Sequence, residues 1–277
     1  MSKTTADNPV RFSFTVYRDT TALDPSLKSK LRRELRAFAA LSLNPVPDYD
    51  VLSVSNDAAF DSRILTLAYT IEEQPRLAGF NSSGWFDIPG CPTRVLDGGT
   101  TIVAPWMRHS GLVVELVGRA CLHALSTYPQ GVWMVGVSEA PSMLGHFARS
   151  IRDVFPSPNG PARPTSMHHR IARWISENAR ETMCIASKAR FEKDTFVFRG
   201  STAAATGGEA FMKDVYDPQY QHRDPTVNSF YRKILRRNMG DEVLVVGFLD
   251  AKHYARAVKT WGRTVSSDLY GPTVAML

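Results

Sequence analysis

The stretch TIVAPWMRHSGLVVELVGRACLHAL, residues 101 to 125, runs an apolar strand through a proline and a short polar turn into a helix. Val113, Leu116, Val117, Ala120, Cys121 and Ala124 recur at three-and-four spacing, while Glu115, Arg119 and His123 occupy the other face. Arg108, His109, Ser110 and Gly111 stand at the mouth of this helix. The first N–H groups of a helix lack intrahelical partners and carry partial positive charge, so such a turn suits an anion. Gly111 lets a ligand approach the backbone, and Arg108 can add a charge-assisted contact.

Upstream of the turn, three extended segments at 62–73, 76–88 and 93–105 are separated by Gln74-Pro75 and Pro89-Gly90, which predicts an antiparallel meander. Before them, VRFSFTVYR (10–18) reads as a strand, and Asp24-Pro25 caps a helix carrying Leu27, Leu31, Leu35 and Phe38. Downstream, GVWMVGVS (131–138) is the nearly unbroken apolar run of a strand buried on both faces, followed by a helix over about 141–154. PSPNGPARPTS (156–166) is a connection. A helix through HHRIARWISENA, a strand in KDTFVFRGS, a helix capped by Asp224-Pro225 and the strand DEVLVVGFL (241–249) complete the pattern. The expected fold is a single α+β domain over 1–277, a mixed, mostly antiparallel central sheet flanked by helices. Its N-terminal half, 1–155, carries the turn. Its C-terminal half, 156–277, supplies Phe196–Arg199 and Glu242–Phe248 to the same sheet.

At 277 residues and 43% hydrophobic, the chain is globular in composition. No apolar run is long enough to span a bilayer and MSKTTADNPVRFSF lacks a secretory core, so a cytoplasmic protein without membrane partners is expected. Cys91, Cys121 and Cys184 are far apart and lack zinc-site spacing; they are expected to be reduced and buried. No metal motif is present, and the adjacent His168 and His169 point in different directions on a helix, so a metal-free site is expected. The net charge of +6 arises partly from SKLRREL (29–35) and YRKILRRN (231–238), which read as solvated helix faces. Without stacking aromatics or a recognition helix, that charge argues for an anionic small molecule as readily as for nucleic acid, which is not expected.

The order of strand, helix, three-strand meander, RHSG turn, amphipathic helix, buried strand and helix resembles the GNAT superfamily of N-acetyltransferases. The resemblance is closest over 62–155 and covers the opening strand and helix more loosely. It implies that the strand before the central helix splays from its neighbour and that acetyl-CoA or another acyl-CoA lies in the wedge. The family's pyrophosphate turn reads Arg/Gln-x-x-Gly-x-Gly/Ala. Here Arg108-His109-Ser110-Gly111-Leu112-Val113 matches at Arg108 and Gly111 and departs at Val113. The resemblance assigns those six residues, with the backbone of Ile102 and Val103 facing the thioester, to the cofactor.

Acyl transfer to an amine needs a base for the ammonium proton, a polarised carbonyl and an acid for the leaving thiolate. The resemblance points to Asp97, eleven positions before Arg108, as the base; Gly98-Gly99 after it also fits a turn. Glu73, beside Glu72, is an alternative base that equally fits a solvated hairpin end. The family's tyrosine acid is missing from SEAPSMLGHFARS, leaving His146 as a candidate, and Ser138 falls beside the substrate. The resemblance places the acceptor pocket at the third strand, with Asn81 and the aromatic residues Phe80, Trp85, Phe86 and Trp106. These imply a small, partly apolar acceptor, although core packing explains the aromatics too. The leading expectation is an acyl-CoA-dependent N-acyltransferase working by direct transfer. Two rivals stand beside it: the same fold turned to cyclisation, decarboxylation or isomerisation in specialised metabolism, and a non-catalytic binding protein for an anionic partner. The sequence leaves the oligomeric state open.

Overall fold

The computed structural model describes residues 11–108, 110–202 and 211–261. Among these, nine strands form one sheet in the order β1-β2-β3-β4-β5-β9-β8-β7, with β6 also paired to β9. The meander is β2 (Arg63–Thr70), β3 (Leu77–Phe86) and β4 (Val95–Val103), flanked on its outer edge by β1 (Phe12–Tyr17). All these neighbours are antiparallel. β4 passes through a short turn into α2 (Leu112–Thr127), which returns the chain to β5 (Val132–Ser138), parallel to β4. The protein is therefore a mixed α+β structure with a mostly antiparallel open sheet flanked by helices.

The C-terminal half completes the same sheet. β9 (Glu242–Leu249) pairs antiparallel with β5 over its whole length, and β8 (Val197–Arg199) joins its other edge. Two short strands escape the sequence pattern: β6 (Arg152–Phe155), where the helix expected to reach 154 has already ended at Ser150, and β7 (Arg190–Glu192). Strands of three or four residues are too short for an alternation to register. The helix α6 (Ala251–Trp261) was likewise not expected.

The two faces are covered by different helices. α2, α3 (Pro141–Ser150), α5 (Pro225–Ile234) and Tyr254 of α6 pack on one face, where Ala120, Cys121, Leu144, Phe147 and Tyr231 meet Leu96, Met134 and Val245. α4 (Ser166–Asn178) packs on the reverse face, with Ile171 and Ile175 against Val95, Val135 and Val246. α1 (Pro25–Ala39) lies over Leu65, Leu67 and Phe80, with Phe38 edge-on to Phe80 at 6.1 Å.

The caps follow the sequence. Asp24 and Asp224 each accept an N–H two residues ahead, with proline at the first helical position. His168 is fully buried and serves α4 in a reciprocal cap with Thr165. The basic clusters are partly paired: Arg32 with Asp57, Arg236 with Asp241 and Arg237 with Asp214. None of the three cysteines forms a disulfide; Cys121 is buried as expected, whereas Cys91 and Cys184 are only half-buried. No described helix is long and apolar enough to cross a membrane.

Candidate functional site

β4 and β5 pair only at Leu96↔Met134 and Asp97↔Val135, then separate. The chain of hydrogen bonds fixes which β4 groups face the gap. Ala104 donates its N–H to the Ala78 carbonyl of β3 at 2.8 Å. Alternation along an antiparallel strand then turns Ile102 toward β3 and aims the backbone N–H groups of Thr101 and Val103 at the gap. Of the two residues expected to present backbone, Val103 does so and Ile102 is committed to the sheet.

The gap widens into a cleft on the α2 face, whose empty space, open solvent at its mouth included, is about 710 Å³. Its floor is Gly98, Gly99, Met134 and Gly136; α2 contributes Val113, Val117 and Gly118, and α3 contributes Met143, His146 and Phe147. Three glycines on the floor leave the backbone bare. Val113, at the position where the family turn has a small residue, lines this cleft directly. Ser138 also lines it and accepts the Ala140 N–H at 3.1 Å, capping α3. Burial, reinforced by His222, Arg149 and Arg223, pushes His146 down to about 4, so it meets the cleft as neutral imidazole near pH 7. Cys121 lies in the wall, where burial pushes its thiol up to about 12, away from nucleophilic character.

At the cleft's α2 end, Gly111 caps the helix with φ +84°, a left-handed conformation that favours glycine. Ser110 Oγ accepts the Leu112 N–H at 3.3 Å, and the exposed Arg108 donates to Gln219 Oε1 at 3.2 Å. His109 lies outside the described residues.

Asp97 belongs to β4, not to a turn, and projects from the reverse face. Gly99, with φ +64°, forms a β-bulge: an added Cβ would sit 1.6 Å from the Ser82 carbonyl oxygen. The extra residue brings Asp97 and Thr100 to one face, although three positions apart. Arg63, Gly84, Asp97 and Val135 form one row across the sheet. Because Gly84 has no side chain, the Arg63 guanidinium lies over it toward Asp97; a Cβ there would meet Arg63 Nη1 at 2.8 Å. Arg63 Nε is 3.1 Å from Asp50 Oδ1, which also accepts from Ser82 Oγ at 2.9 Å. Burial raises Asp50 against the pull of Arg63, and burial keeps the Tyr49 phenol protonated beside them.

Burial pushes Asp97 up to about 6, opposed by Arg63 and by the Gly99 N–H that donates to Oδ1 at 3.0 Å. Its Oδ2 has no hydrogen-bond partner among the described residues. A carboxylate held near neutrality with an open acceptor lone pair can take a proton. Asn81, fully buried, donates to the Gly98 carbonyl at 2.9 Å and to Thr101 Oγ1 at 3.0 Å, bracing the bulge.

The other expected residues are dispersed. Phe80 is packed under α1, Phe86 lies 5.5 Å from Trp174 of α4, Trp85 stacks edge-on to Tyr128 at 5.6 Å, and Trp106 is 49% exposed beneath Arg76. They do not form one aromatic pocket, because successive residues of a strand face opposite sides. Glu73 is exposed between β2 and β3.

Two carboxyls escape the sequence reading. Glu139, one residue beyond Ser138, is buried; burial and the neighbouring Glu242 push it up to about 9 against the opposing charge of Lys213. Glu242, hydrogen-bonded to Ser201 Oγ, is pushed up to about 7 by burial. A carboxylate at the end of an apolar strand, just before a proline-started helix, was the available signal. Asp50 and Arg63 carried none, since a 3-10 turn between α1 and β2 delivers Asp50. No group of three or more possible metal ligands occurs among the described residues. No protein-family model and no curated protein matches the chain.

Proposed function

We propose that the protein is a GNAT-type, acyl-CoA-dependent N-acyltransferase acting on a small, partly apolar amine. The observation that carries this reading is the splay of the parallel β4–β5 pair after two paired residues, with a glycine-floored cleft on one face and Asp97 on the other. The resemblance in sequence order implied a wedge of this kind, and its bare floor suits an extended acyl-CoA arm. When bound, acyl-CoA supplies the acyl group as a thioester. Thr101 and Val103 N–H groups would orient the thioester carbonyl. Arg108, the cap at Gly111 and the walls from Val113 and Val117 would hold the arm. Asp97, through Oδ2, would accept the proton lost by the acceptor nitrogen as it bonds to the acyl carbon, while the C–S bond breaks and CoA leaves as a thiolate that takes a proton from solvent. The dispersed aromatics leave Met143, Leu144 and Phe147 to supply apolar contacts.

A second reading keeps the cleft and drops the acyl-CoA. It is favoured by Glu139 beside the cleft wall and by Arg108 already bonded to Gln219, neither of which suits a pyrophosphate. The fold would then serve a cyclisation, decarboxylation or isomerisation of an apolar substrate.

Thermal unfolding with acetyl-CoA and with CoA separates the two. A ligand bound only by the folded state adds about 2.7 kcal/mol at a hundredfold excess over its Kd. A saturable rise that Arg108→Glu weakens supports acyl transfer; no rise at millimolar ligand overturns it and leaves the second reading.

A further inference from the structure

A second cavity lies at the opposite end of α2, about 24 Å from the helix N-terminus. It has an open volume of about 540 Å³ and is built where β1 ends, β4 begins and α2 stops. Arg18 and Arg94 line it from the two strand ends, Trp85 from β3, and His123 and Tyr128 from the last turns of α2. Arg18 is exposed and stands in no ion pair among the described residues. The Arg94 guanidinium lies 5.6 Å from the Trp85 ring centre, and its Nε is 3.1 Å from the exposed carboxylate of Asp87. His123 Nδ1 is buried and has no hydrogen-bond partner among the described residues.

We propose that this cavity binds a small organic anion, a carboxylate or phosphate joined to a flat apolar group. Arg18 and Arg94 would take the anion, His123 Nδ1 would add a hydrogen bond, and the Trp85–Tyr128 pair would face the flat group. Three features could oppose an anion: Asp87, an exposed carboxylate that an anion would have to displace from Arg94, together with Asp19 and the α2 C-terminus. Asp19, the one carboxylate among the lining residues, accepts the Thr21 N–H at 2.8 Å. Of the α2 carbonyls, negative at a helix C-terminus, two are covered: that of His123 accepts from the Ser126 and Thr127 hydroxyls, and that of Ala124 from the Tyr128 N–H. Burial and the charge of Arg18 push His123 below its usual value; a bound anion would reverse that push.

The test is calorimetric titration of the full chain with benzoate, phenyl phosphate, inorganic phosphate and, as a cationic control, benzamidine. The imidazole resonances of His123 are followed against pH in parallel. The expected result is saturable binding of benzoate or phenyl phosphate, inorganic phosphate binding more weakly than phenyl phosphate, and no benzamidine binding. Arg18→Glu, at an exposed position, should weaken the binding at least about tenfold, and the bound anion should raise the His123 titration midpoint. No binding up to about 10 mM overturns the proposal. So does binding that neither Arg18→Glu nor Arg94→Gln changes, or binding that leaves the His123 titration unmoved. Failure of acetyl-CoA to bind the cleft would not touch this result.

Discussion

The two faces of β4 differ sharply over a few residues. On the α2 face, Gly98 and Gly99 open onto a cleft walled by valine, methionine and phenylalanine. On the reverse face, Asp97 and Thr100 join Asp50, Arg63, Tyr49 and Ser82 in a buried polar cluster. An apolar cleft binds shape and excludes water; a buried charged cluster holds protons at unusual affinities. The splay of β4 from β5 opens the cleft on one face, and the bulge at Gly99 sets Asp97 and Thr100 together on the other.

The largest expected effect comes from removing the charge that holds the cluster together. Arg63→Met would leave Asp50 and Asp97 buried without their cation, at a cost of about 3–5 kcal/mol. The pH dependence follows from the same change. Without Arg63 both carboxyls rise further in the folded state, which then keeps protons that the unfolded chain releases above about pH 4. Stability of the variant should therefore fall as pH rises, with a larger deficit at about pH 8 than at about pH 5 in urea unfolding. An equal deficit at both values would mean that Arg63 serves packing alone and that the faces differ less than their charges imply.

Asp97→Asn asks whether the reverse face does chemistry. Asp97 is held at about 6, above its unfolded value, so its ionisation destabilises the folded state as pH rises through that window. Asparagine removes that cost, and the variant should gain about 1–3 kcal/mol at about pH 8 and nothing below about pH 4. If the chain transfers an acyl group, that rate should fall about a hundredfold and its limb near pH 6 should disappear. Retained activity with an unchanged limb would return Asp97 to a structural role.

Much of this architecture was legible. The meander, the helix after Arg108 and the strand after it appear where periodicity put them, because long elements repeat their apolar spacing several times, but that strand is not buried on both faces: Gly136, Val137 and Ser138 line the cleft. The resemblance alone, through the distance from Arg108, pointed to Asp97. What periodicity could not carry was the bulge: an alternating strand places Asp97 and Thr100 on opposite faces, and only an extra residue at Gly99 unites them. The resemblance placed Phe80, Trp85, Phe86 and Trp106 in one pocket, whereas strand alternation sends the first three to separate packing groups and a tight turn leaves Trp106 exposed. Asp50 and Glu139 come from a 3-10 turn and a strand end, positions with no period. Arg63 falls at the start of a strand, and its importance rests on Gly84, whose missing side chain clears its path.

The smallest expected effect contrasts two glycines on the cleft floor. Gly99 has φ +64° and carbonyl oxygen where a Cβ would go, so Gly99→Ala should cost about 1–3 kcal/mol and disturb Asp97 through the bulge. Gly136 is different: an added Cβ would stand 3.5 Å from the Phe147 ring, an ordinary contact. Gly136→Ala should change stability by no more than about 0.5 kcal/mol while narrowing the cleft floor. If the cleft holds the acyl-CoA arm, Gly136→Ala will weaken acetyl-CoA binding several-fold with an unaltered melting curve in the absence of ligand. Gly99→Ala will instead lower the melting temperature and shift the pH dependence that Asp97 imposes. Loss of stability in both variants would mean that the floor is packed rather than open, and the contrast between an empty face and a charged one would fail at the glycines that separate them.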